Sequence, residues 1–452
     1  MLETLHTTLA FIIAIAVLIA VHEYGHFIVA RKLGIKVEKF SIGFGPSLIS
    51  WWSKDREVQY IIAAIPLGGY VKMLGENPSE QGDEAKQKLS DEDRLRSFDA
   101  QPPWKRASVA VAGPLFNFFF AVVAYMMIGW IGQSVMPPVI GNIAPASVAE
   151  QSGILEGDVI RSLNGSPIHS WVQVEEKMKQ AIGRSAIIEV ERDGTLVPVR
   201  FDLPAPDEDA FLVNVSETAL GIFPGVKVEV DSVAKDSAAE RGGMLPGDQI
   251  LQAQGEPVTN IRALIEVIRH KADESVSLQV SRDGTILNLS VIPAVDESGF
   301  GRIGVRLASL PVHESVFYRM GLFEGIVFGF ERTWEMTSMT VQVLGKMVTS
   351  AISPENLGGP IAIAQLAGKT AELGLISFMS FLALISVNLA VLNLLPVPVL
   401  DGGHLAYIAI EKVRGKPLSQ TTMERTQIVG ISLIVVLMLF AFYNDLLRLF
   451  RG

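Results

Sequence analysis

The sequence predicts a multi-span α-helical membrane protein with four transmembrane helices, a membrane-associated β-hairpin region and a duplicated extracytoplasmic domain. Its 452 residues are 49% hydrophobic and 19% charged, which is too apolar for an ordinary soluble enzyme. Four apolar runs alternate with polar segments, and the long polar stretch 134–310 repeats itself at a fixed period. The net charge of −10 argues against nucleic acid as a partner, and the absence of cysteine excludes disulfides and thiolate zinc ligands.

The first apolar run, residues 11–31, carries His22, Glu23 and His26 in the order His-Glu-x-x-His. A run of about 20 apolar residues can cross a bilayer, and ionisable groups inside it are costly unless they have a function. On a helix, positions i and i+4 share one face, so both imidazoles can hold one metal ion with Glu23 beside a bound water. The alternative is a pair of packed core histidines, which the membrane setting disfavours.

Basic residues set the predicted orientation. Arg31, Lys32, Lys36 and Lys39 follow the first run, so the positive-inside rule puts residue 1 outside and residues 32 onward in the cytosol. A cleavable signal peptide would have a basic start and a small-residue cleavage site, and neither is evident at the N-terminus. Both termini and the duplicated domain are then expected outside, with the later spans at about 107–131, 375–395 and 428–443.

Residues 37–73 have the pattern of short strands and turns punctuated by glycine and proline. They form either a small cytosolic hairpin domain or a sheet that enters the membrane, which is tolerable only where protein or water covers the backbone. Residues 76–103 are mostly polar and are predicted to be a flexible linker. In the second span, Asn117 is expected to contact a neighbouring helix rather than to act in catalysis.

A constant offset of ninety residues indicates two copies of one domain, because the stretch 154–168 matches 244–258. Both copies carry the pattern Leu-x-Gly-Asp-x-Ile, which resembles PDZ domains. PDZ domains bind extended peptides by adding a strand to a sheet edge. The matching positions are Asp158 and Asp248, Gly165 and Gly255, and Asp193 and Asp283.

The PDZ resemblance implies a loop whose backbone amides receive the terminal carboxylate of a peptide. In the second copy, Leu220, Gly221 and Ile222 are expected to form this loop, whereas residues 139–141 fit less well in the first copy. The sequence leaves open whether the grooves bind peptides or exclude bulky proteins, and we favour exclusion.

After residue 311, six apolar residues step by four and three, so they share one face of a helix. Charged residues in the same segment argue against a span, and the helix is predicted to lie on the membrane surface. The six residues are Val316, Met320, Phe323, Val327, Phe330 and Trp334.

A catalytic zinc site needs a third protein ligand and an open position for water. Asp401 and His404, which follow the proline-rich break of the third span, are both chemically able to complete it. The Gly402–Gly403 pair allows the backbone to turn the Asp401 carboxylate inward, which favours Asp401 without excluding His404.

The motif His22–His26 in a first span, combined with Asn-x-x-Pro-x-Pro-x-Leu-Asp-Gly at Asn393–Gly402, resembles the site-2 protease family of intramembrane metalloproteases. The resemblance covers nearly the whole chain. It implies one Zn²⁺ per chain, held by His22, His26 and Asp401. It also implies that Glu23 is the general base and that Asn393 holds substrate or stabilises the oxyanion.

The same resemblance implies a substrate site and a class of substrate. The family cuts transmembrane helices already trimmed outside the membrane, which for some members include an anti-sigma factor and remnant signal peptides, in the lipid of the bacterial inner membrane. A membrane-reentrant β-loop is expected at Gly43, Phe44 and Gly45. A strand edge at residues 59–73, with Ile61, Ile62, Ala63 and Ala64 as its substrate-binding residues, is expected to hold the unwound substrate extended by backbone pairing.

A second hypothesis is a membrane scaffold whose PDZ pair binds envelope proteins, with a metal site that is vestigial or structural. Glu23 favours the enzyme, because a structural zinc site needs no base. A metal transporter would need more polar residues along the spans. The expected segments are the first transmembrane helix (1–33), the β-rich reentrant region (34–75), a cytosolic linker (76–103), the second transmembrane helix (104–133), two PDZ domains (134–218 and 219–310), an amphipathic surface helix (311–357), the third transmembrane region (358–410), a cytosolic loop (411–426) and the fourth transmembrane helix (427–452).

Overall fold

The structure, a computed structural model, describes residues 2–76, 90–205, 213–296, 299–349, 358–416 and 418–451. The helices are α1 (Leu2–Lys32), α2 (Asp91–Leu95), α3 (Pro103–Ile131), α4 (Val148–Gln151), α5 (Trp171–Ala181), α6 (Ala238–Arg241), α7 (Ile261–Arg269), α8 (Leu322–Val348), α9 (Pro360–Glu372), α10 (Leu375–Asn393), α11 (Asp401–Arg414) and α12 (Gln420–Arg451), with a π-helical turn at Ser216–Leu220.

The strands are β1 (Val37–Trp52), β2 (Gln59–Met73), β3 (Gln133–Val135), β4 (Ile140–Ile143), β5 (Val159–Leu163), β6 (Ser166–Pro167), β7 (Arg184–Arg192), β8 (Thr195–Leu203), β9 (Ile222–Pro224), β10 (Val226–Val233), β11 (Gln249–Ala253), β12 (Glu256–Pro257), β13 (Val276–Arg282), β14 (Thr285–Val291), β15 (Ala294–Val295), β16 (Gly301–Arg302), β17 (Val305–Pro311) and β18 (Val316–Tyr318). These elements form two compact units, one of residues 1–132 with 319–452 and the other of residues 133–318.

Among its described residues, the first unit contains four helices that are long and apolar enough to cross a membrane: α1, α3, α10 and α12. Helix α3 packs against α1, α8, α10 and α11 and therefore lies at the centre of this unit. Small residues along α3 allow its neighbours to approach closely, as is common between helices in membranes. The buried small residues of α3 are Ala110, Ala112, Gly113, Ala121, Ala124 and Gly129.

The predicted amphipathic helix begins later than its sequence pattern suggested. Val316 lies in strand β18 and Met320 precedes the first residue of α8, so these two residues do not belong to the helical face. The other face of α8 packs on α3. At Gly325 and Gly329 the two helices approach so closely that a side chain would collide with α3. The other four of the six predicted residues lie on α8 and are exposed: Phe323, Val327, Phe330 and Trp334.

One buried carboxylate attaches α12 to α9. Asp445 is 3% exposed, and its oxygens accept hydrogen bonds from the backbone N–H groups of Gly359, Ile361 and Ala362 at 2.9, 2.9 and 3.2 Å. These N–H groups stand at the start of α9, where the helix has no carbonyl partners for them and favours negative charge. The acid in an otherwise apolar helix is therefore compensated by a helix N-terminus.

The β-rich region is one sheet built from two long, bent strands, β1 and β2. Residues 61–62 are registered against residues 41–42 on one side and against residues 49–50 on the other. A strand has only two edges, so Ile61 and Ile62 offer no free edge to a substrate, contrary to the expectation from sequence. Residues 49–52 form one edge of this sheet and residues 69–73 the other, and each has partners on one side only.

Part of the predicted flexible linker is ordered. Arg96 makes two hydrogen bonds to the Glu57 carboxylate at 2.8 and 3.1 Å, and Lys36 contacts Asp93 at 2.7 Å. The Phe98 backbone N–H donates to the carbonyl of Leu74, the residue after β2, at 2.7 Å. These contacts tie residues 90–101 to the sheet. Residues 77–89 of the linker and residues 350–357 of the amphipathic segment lie outside the described residues.

The second unit contains two hydrophobic cores, one for each sequence repeat. The first repeat has a sheet of order β6-β5-β7-β8, and in the second repeat the order is β14-β13-β11-β10-β17. The same buried ion pair occurs in both. Arg192 makes two hydrogen bonds to Asp158, and ninety residues later Arg282 makes two to Asp248.

The loop of Leu220, Gly221 and Ile222 belongs to the first repeat, not to the second as expected from sequence. Leu220 and Ile222 are buried in the first core, and β9 pairs with β4. The Gly221 carbonyl accepts from the Ala144 N–H at 2.8 Å, and the Gly304 carbonyl accepts in the same way from Ala234 at 2.9 Å. Residues 303–305 are therefore the matching loop of the second repeat, where a cavity of about 880 Å³ lies against them.

The ion pair of the second repeat has a consequence for stability at low pH. Burial opposes ionisation of Asp248, but hydrogen bonds from Arg282 and from the Leu245 N–H more than offset it, so the pKa of this carboxyl lies below its usual range. A carboxyl whose pKa is depressed on folding stabilises the fold above its unfolded pKa of about 3.9. That stabilisation is lost as the pH falls through the folded-state pKa.

We expect the substitution Asp248→Asn to lower the stability of the second repeat by about 2 kcal/mol at pH 7, because it removes charge-assisted hydrogen bonds from the partly exposed Arg282 to a buried acceptor. Hydrogen exchange of residues 249–291 in the intact protein measures the effect. The matched control is Asp158→Asn, which should weaken protection in the first repeat only. Equal protection of residues 249–291 in the wild type and the Asp248→Asn variant would contradict the prediction.

Candidate active site

Three potential metal ligands meet in the helical unit. His22 and His26 lie one turn apart on α1, and Asp401 is the first residue of α11. The Nε2 atoms of the two histidines are 3.2 Å apart, and they lie 3.2 and 3.4 Å from the two Asp401 oxygens. The ligand atoms all lie within 4.8 Å of one another.

These separations fit a tetrahedral zinc ion. Zinc bonds of about 2.05 Å at tetrahedral angles place neighbouring ligand atoms about 3.3 Å apart. Two imidazole lone pairs and a carboxylate repel one another at this distance unless a cation or a proton lies between them. Asp401 Oδ2 is also buried without a hydrogen-bond partner among the described residues. The donor set and its spacing therefore suit Zn²⁺, with three protein ligands and a fourth position left for water.

Helix α3 supplies partners for the far side of each imidazole. His26 Nδ1 donates to the Val109 carbonyl at 2.8 Å, which leaves its Nε2 lone pair toward the metal position. His22 Nδ1 lies 3.1 Å from the side-chain amide of Asn117, a residue that is fully buried. Both ligands are thus held in orientation by one neighbouring helix.

Gly113 on α3 makes room for the site. A Cβ atom at this position would lie 2.3 Å from His26 Nε2 and 2.7 Å from His22 Cε1, well inside contact distance. Any side chain at Gly113 would occupy the space toward which both histidines point. The small residue is therefore a steric requirement of this site.

The turn between α10 and α11 places Asp401. Cβ atoms at Gly402 and Gly403 would lie 2.2 and 2.4 Å from carbonyl oxygens of the preceding turn, so both positions require glycine. Val399 has a φ of +89°, a strained conformation for a β-branched residue. Further along α11, Glu411 forms a largely buried ion pair with Arg106 of α3 at 2.7 Å.

Glu23 and Asn393 lie beside the three ligands. The Glu23 carboxylate lies near the Val71 backbone N–H, so β2 runs next to it. A Cβ at Gly69 would lie 3.0 Å from Glu23 Cγ, so residues 69–71 run along α1 at the level of the site. The Asn393 amide nitrogen is 3.4 Å from His22 Nε2.

Other residues singled out from the sequence lie outside the ligand cluster. His404 packs edge-on against Tyr407 with ring centroids 6.3 Å apart. Phe44 stacks on Tyr70, at the bend of β1 where Gly43 and Gly45 have φ values of +95° and +87°. Ala63 is paired with Ser47 in the sheet, next to Ala64, Ile61 and Ile62. Leu220, Gly221 and Ile222 lie in the unit of the repeats.

The sequence predicts no role for Gly113, and it predicts only a helix contact for Asn117. Asn117 does contact a helix, because its backbone carbonyl accepts from Ser386 of α10 at 2.9 Å. Asn117 also contacts His22, a candidate zinc ligand, and the sequence did not predict this contact. The available signal was the spacing of four between Gly113 and Asn117, which places both on one face of α3.

Comparisons with known proteins show the family to which the chain belongs. The family model Peptidase family M50 matches residues 10–437. The regulator of sigma-E protease RseP of Salmonella typhimurium strain 14028s is 38% identical over 465 residues, covering 99% of this chain and 100% of its own length. The protein of the same name from Escherichia coli strain K12 gives the same identity and coverage.

A protein of Ralstonia nicotianae, provisionally named a zinc metalloprotease, is 39% identical over 459 residues, covering 98% of this chain and 99% of its own. Among solved structures, the PDZ domain of an SdrC-like protein of Listeria monocytogenes is 23% identical and covers 19% of this chain and 90% of its own, with a TM-score of 0.17 that supports no argument. The match over almost the whole chain shows that the protein belongs to peptidase family M50, the site-2 protease family, and is a zinc metalloprotease.

Proposed function

We propose that this chain hydrolyses peptide bonds within the transmembrane segments of membrane proteins, with one zinc held by His22, His26 and Asp401. The observation that carries the proposal is the meeting of these three side chains at tetrahedral spacing beside Glu23. Two of them stand on a helix that is long and apolar enough to cross a membrane. A water-using site at that position would act on peptide bonds that soluble proteases do not reach.

The residues present divide the reaction between them. Zinc, when bound, supplies a Lewis acid that polarises the substrate carbonyl and acidifies water. Glu23 accepts the proton of the attacking water and then delivers it to the leaving amine. The Asn393 side-chain N–H can donate to the oxygen that becomes negative, a contribution of about 3 kcal/mol in comparable sites.

Substrate has to be unwound before it can be cut, because a helix hides its carbonyls in its own hydrogen bonds. Residues 69–72 have a sheet partner on one side only and run beside Glu23, so this edge suits pairing with an extended substrate backbone. Within the edge of residues 59–73 expected from the sequence, this segment takes the place of Ile61 and Ile62, while Ala63 and Ala64 stay candidate substrate residues.

The setting follows from the charge pattern and from the relatives. Basic residues after α1 favour a cytosolic position for residues 32 onward, and hence termini and repeats on the periplasmic side of an inner membrane. The relatives are named as regulators of sigma-E, which supports a trimmed anti-sigma factor as substrate. We extend the class to remnant signal peptides, and we propose that the PDZ-like repeats select or exclude substrates by size.

An additional role as a membrane scaffold is the second candidate, and the two PDZ-like repeats favour it. The substitution Glu23→Gln separates the two functions. We expect cleavage of a membrane-spanning reporter to fall by at least about 100-fold, since a general base contributes about 10²–10⁴ in rate. Zinc content should stay at the wild-type level, because Glu23 is not a ligand. Undiminished cleavage in this variant would contradict both the role of Glu23 as the base and the origin of the cleavage at this site.

The third ligand is tested by comparing two neighbouring residues. Asp401→Ala removes a carboxylate that lies within 3.4 Å of both imidazole Nε2 atoms, so the purified protein should retain little zinc. His404→Ala removes a ring that packs on Tyr407 and should leave the zinc content unchanged. Metal analysis after dialysis gives the result. Zinc loss in the His404 variant alone would reverse the assignment.

The substrate edge can be mapped by disulfide cross-linking, because the chain contains no cysteine of its own. In the Glu23→Gln background, we expect Tyr70→Cys, on the edge beside the site, to cross-link a substrate carrying one cysteine near its scissile bond. Ile49→Cys, near the opposite edge of the same sheet, is the matched control and should not react. Cross-linking through residue 49 alone would assign the substrate to the outer edge.

A further inference from the structure

The two histidines of the site use α3 in the same way. Their Nε2 atoms face Asp401, and their Nδ1 atoms face residues on one stripe of α3, Val109 and Asn117, with Gly113 between them. These three positions are four residues apart, so they follow one face of the helix. Helix α3 thus forms a wall along the histidine pair.

The Val109 contact fixes the state of one imidazole. A backbone carbonyl can only accept, so His26 Nδ1 carries the proton and Nε2 keeps a lone pair. A metal requires the same arrangement of His22, whose Nδ1 must then donate to something. The atom within reach at 3.1 Å belongs to the Asn117 amide.

The amide has two orientations that share one heavy-atom outline, with either oxygen or nitrogen toward His22. Nitrogen toward the ring would make His22 Nδ1 an acceptor and place the proton on Nε2, where it blocks a metal. Oxygen toward the ring selects the other tautomer. Asn117 Oδ1 is buried and has no partner among the described residues when nitrogen faces the ring, so no contact of the oxygen opposes the exchange.

We propose that Asn117 is a positioning residue for the zinc site: its side-chain oxygen accepts the Nδ1 proton of His22 and so directs the Nε2 lone pair to the metal. This inference rests on the proposed zinc site. The backbone of Asn117 is itself fixed, because its carbonyl accepts from the buried Ser386 hydroxyl. Asn117 therefore connects the metal ligand on α1 to both α3 and α10.

The test measures zinc affinity of the intact, purified protein by competition with a chelator. Asn117→Leu keeps the volume but removes the acceptor, and we expect zinc to bind 10- to 100-fold more weakly, the usual effect of losing a partner of a ligand histidine. Asn117→Asp keeps an acceptor and loses the donor, so its affinity should stay near that of the wild type. The absorption spectrum of the Co²⁺-loaded forms should change in the leucine variant only.

The matched control is Asn388→Leu, which removes another amide contact between helices, a hydrogen bond from Thr340 at 2.7 Å, away from the site. Its zinc affinity should equal that of the wild type. Wild-type affinity in Asn117→Leu, equal losses in the leucine and aspartate variants, or an equal loss in Asn388→Leu would each overturn the proposal. A wild-type protein that binds no zinc would instead overturn the proposed function.

Discussion

The helical unit is organised around three groups that are costly to bring together in an apolar setting. Two imidazole nitrogens and a carboxylate lie 3.2 to 3.4 Å apart, and both imidazoles stand on the long, largely apolar helix α1. Without a cation, such an arrangement repels itself and loses hydration. With one, the same spacing supplies three of the four ligands of a catalytic zinc. Most of the unusual local geometry nearby serves this meeting.

Glycine provides the space for it. Gly113 keeps α3 from filling the metal position, and Gly402 and Gly403 let the start of α11 lie directly on the preceding turn. The strained φ of Val399 stands at the same turn, where backbone strain fixes the direction of Asp401. Helix α3 then adds the partners that orient both histidines. One helix accordingly provides steric room and hydrogen bonds, while the ligands come from two others.

The repeats have their own logic. Each copy closes around a buried Arg–Asp pair at the same relative position, and each has a core of its own. The sequence predicts the loop at Leu220–Ile222 in the second copy, but the loop belongs to the first. The period of ninety locates equivalent residues in the two copies, but it does not show which strand completes each sheet. Strand β4 pairs with β9, which lies at the end of the first repeat just before β10 begins.

Composition and local spacing were enough to predict the membrane class, the helix with His22, Glu23 and His26, and the duplication, because hydrophobic length, the i to i+4 geometry and a fixed period are properties of neighbouring residues. They also narrowed the third ligand to two residues. Only the tertiary structure brought Asp401 rather than His404 to the histidines, placed Asn117 and Gly113 beside them, and showed that Ile61 and Ile62 lie inside the sheet. Those facts depend on which distant segments pack together, and packing of separate helices and strands leaves no periodic signal in one sequence.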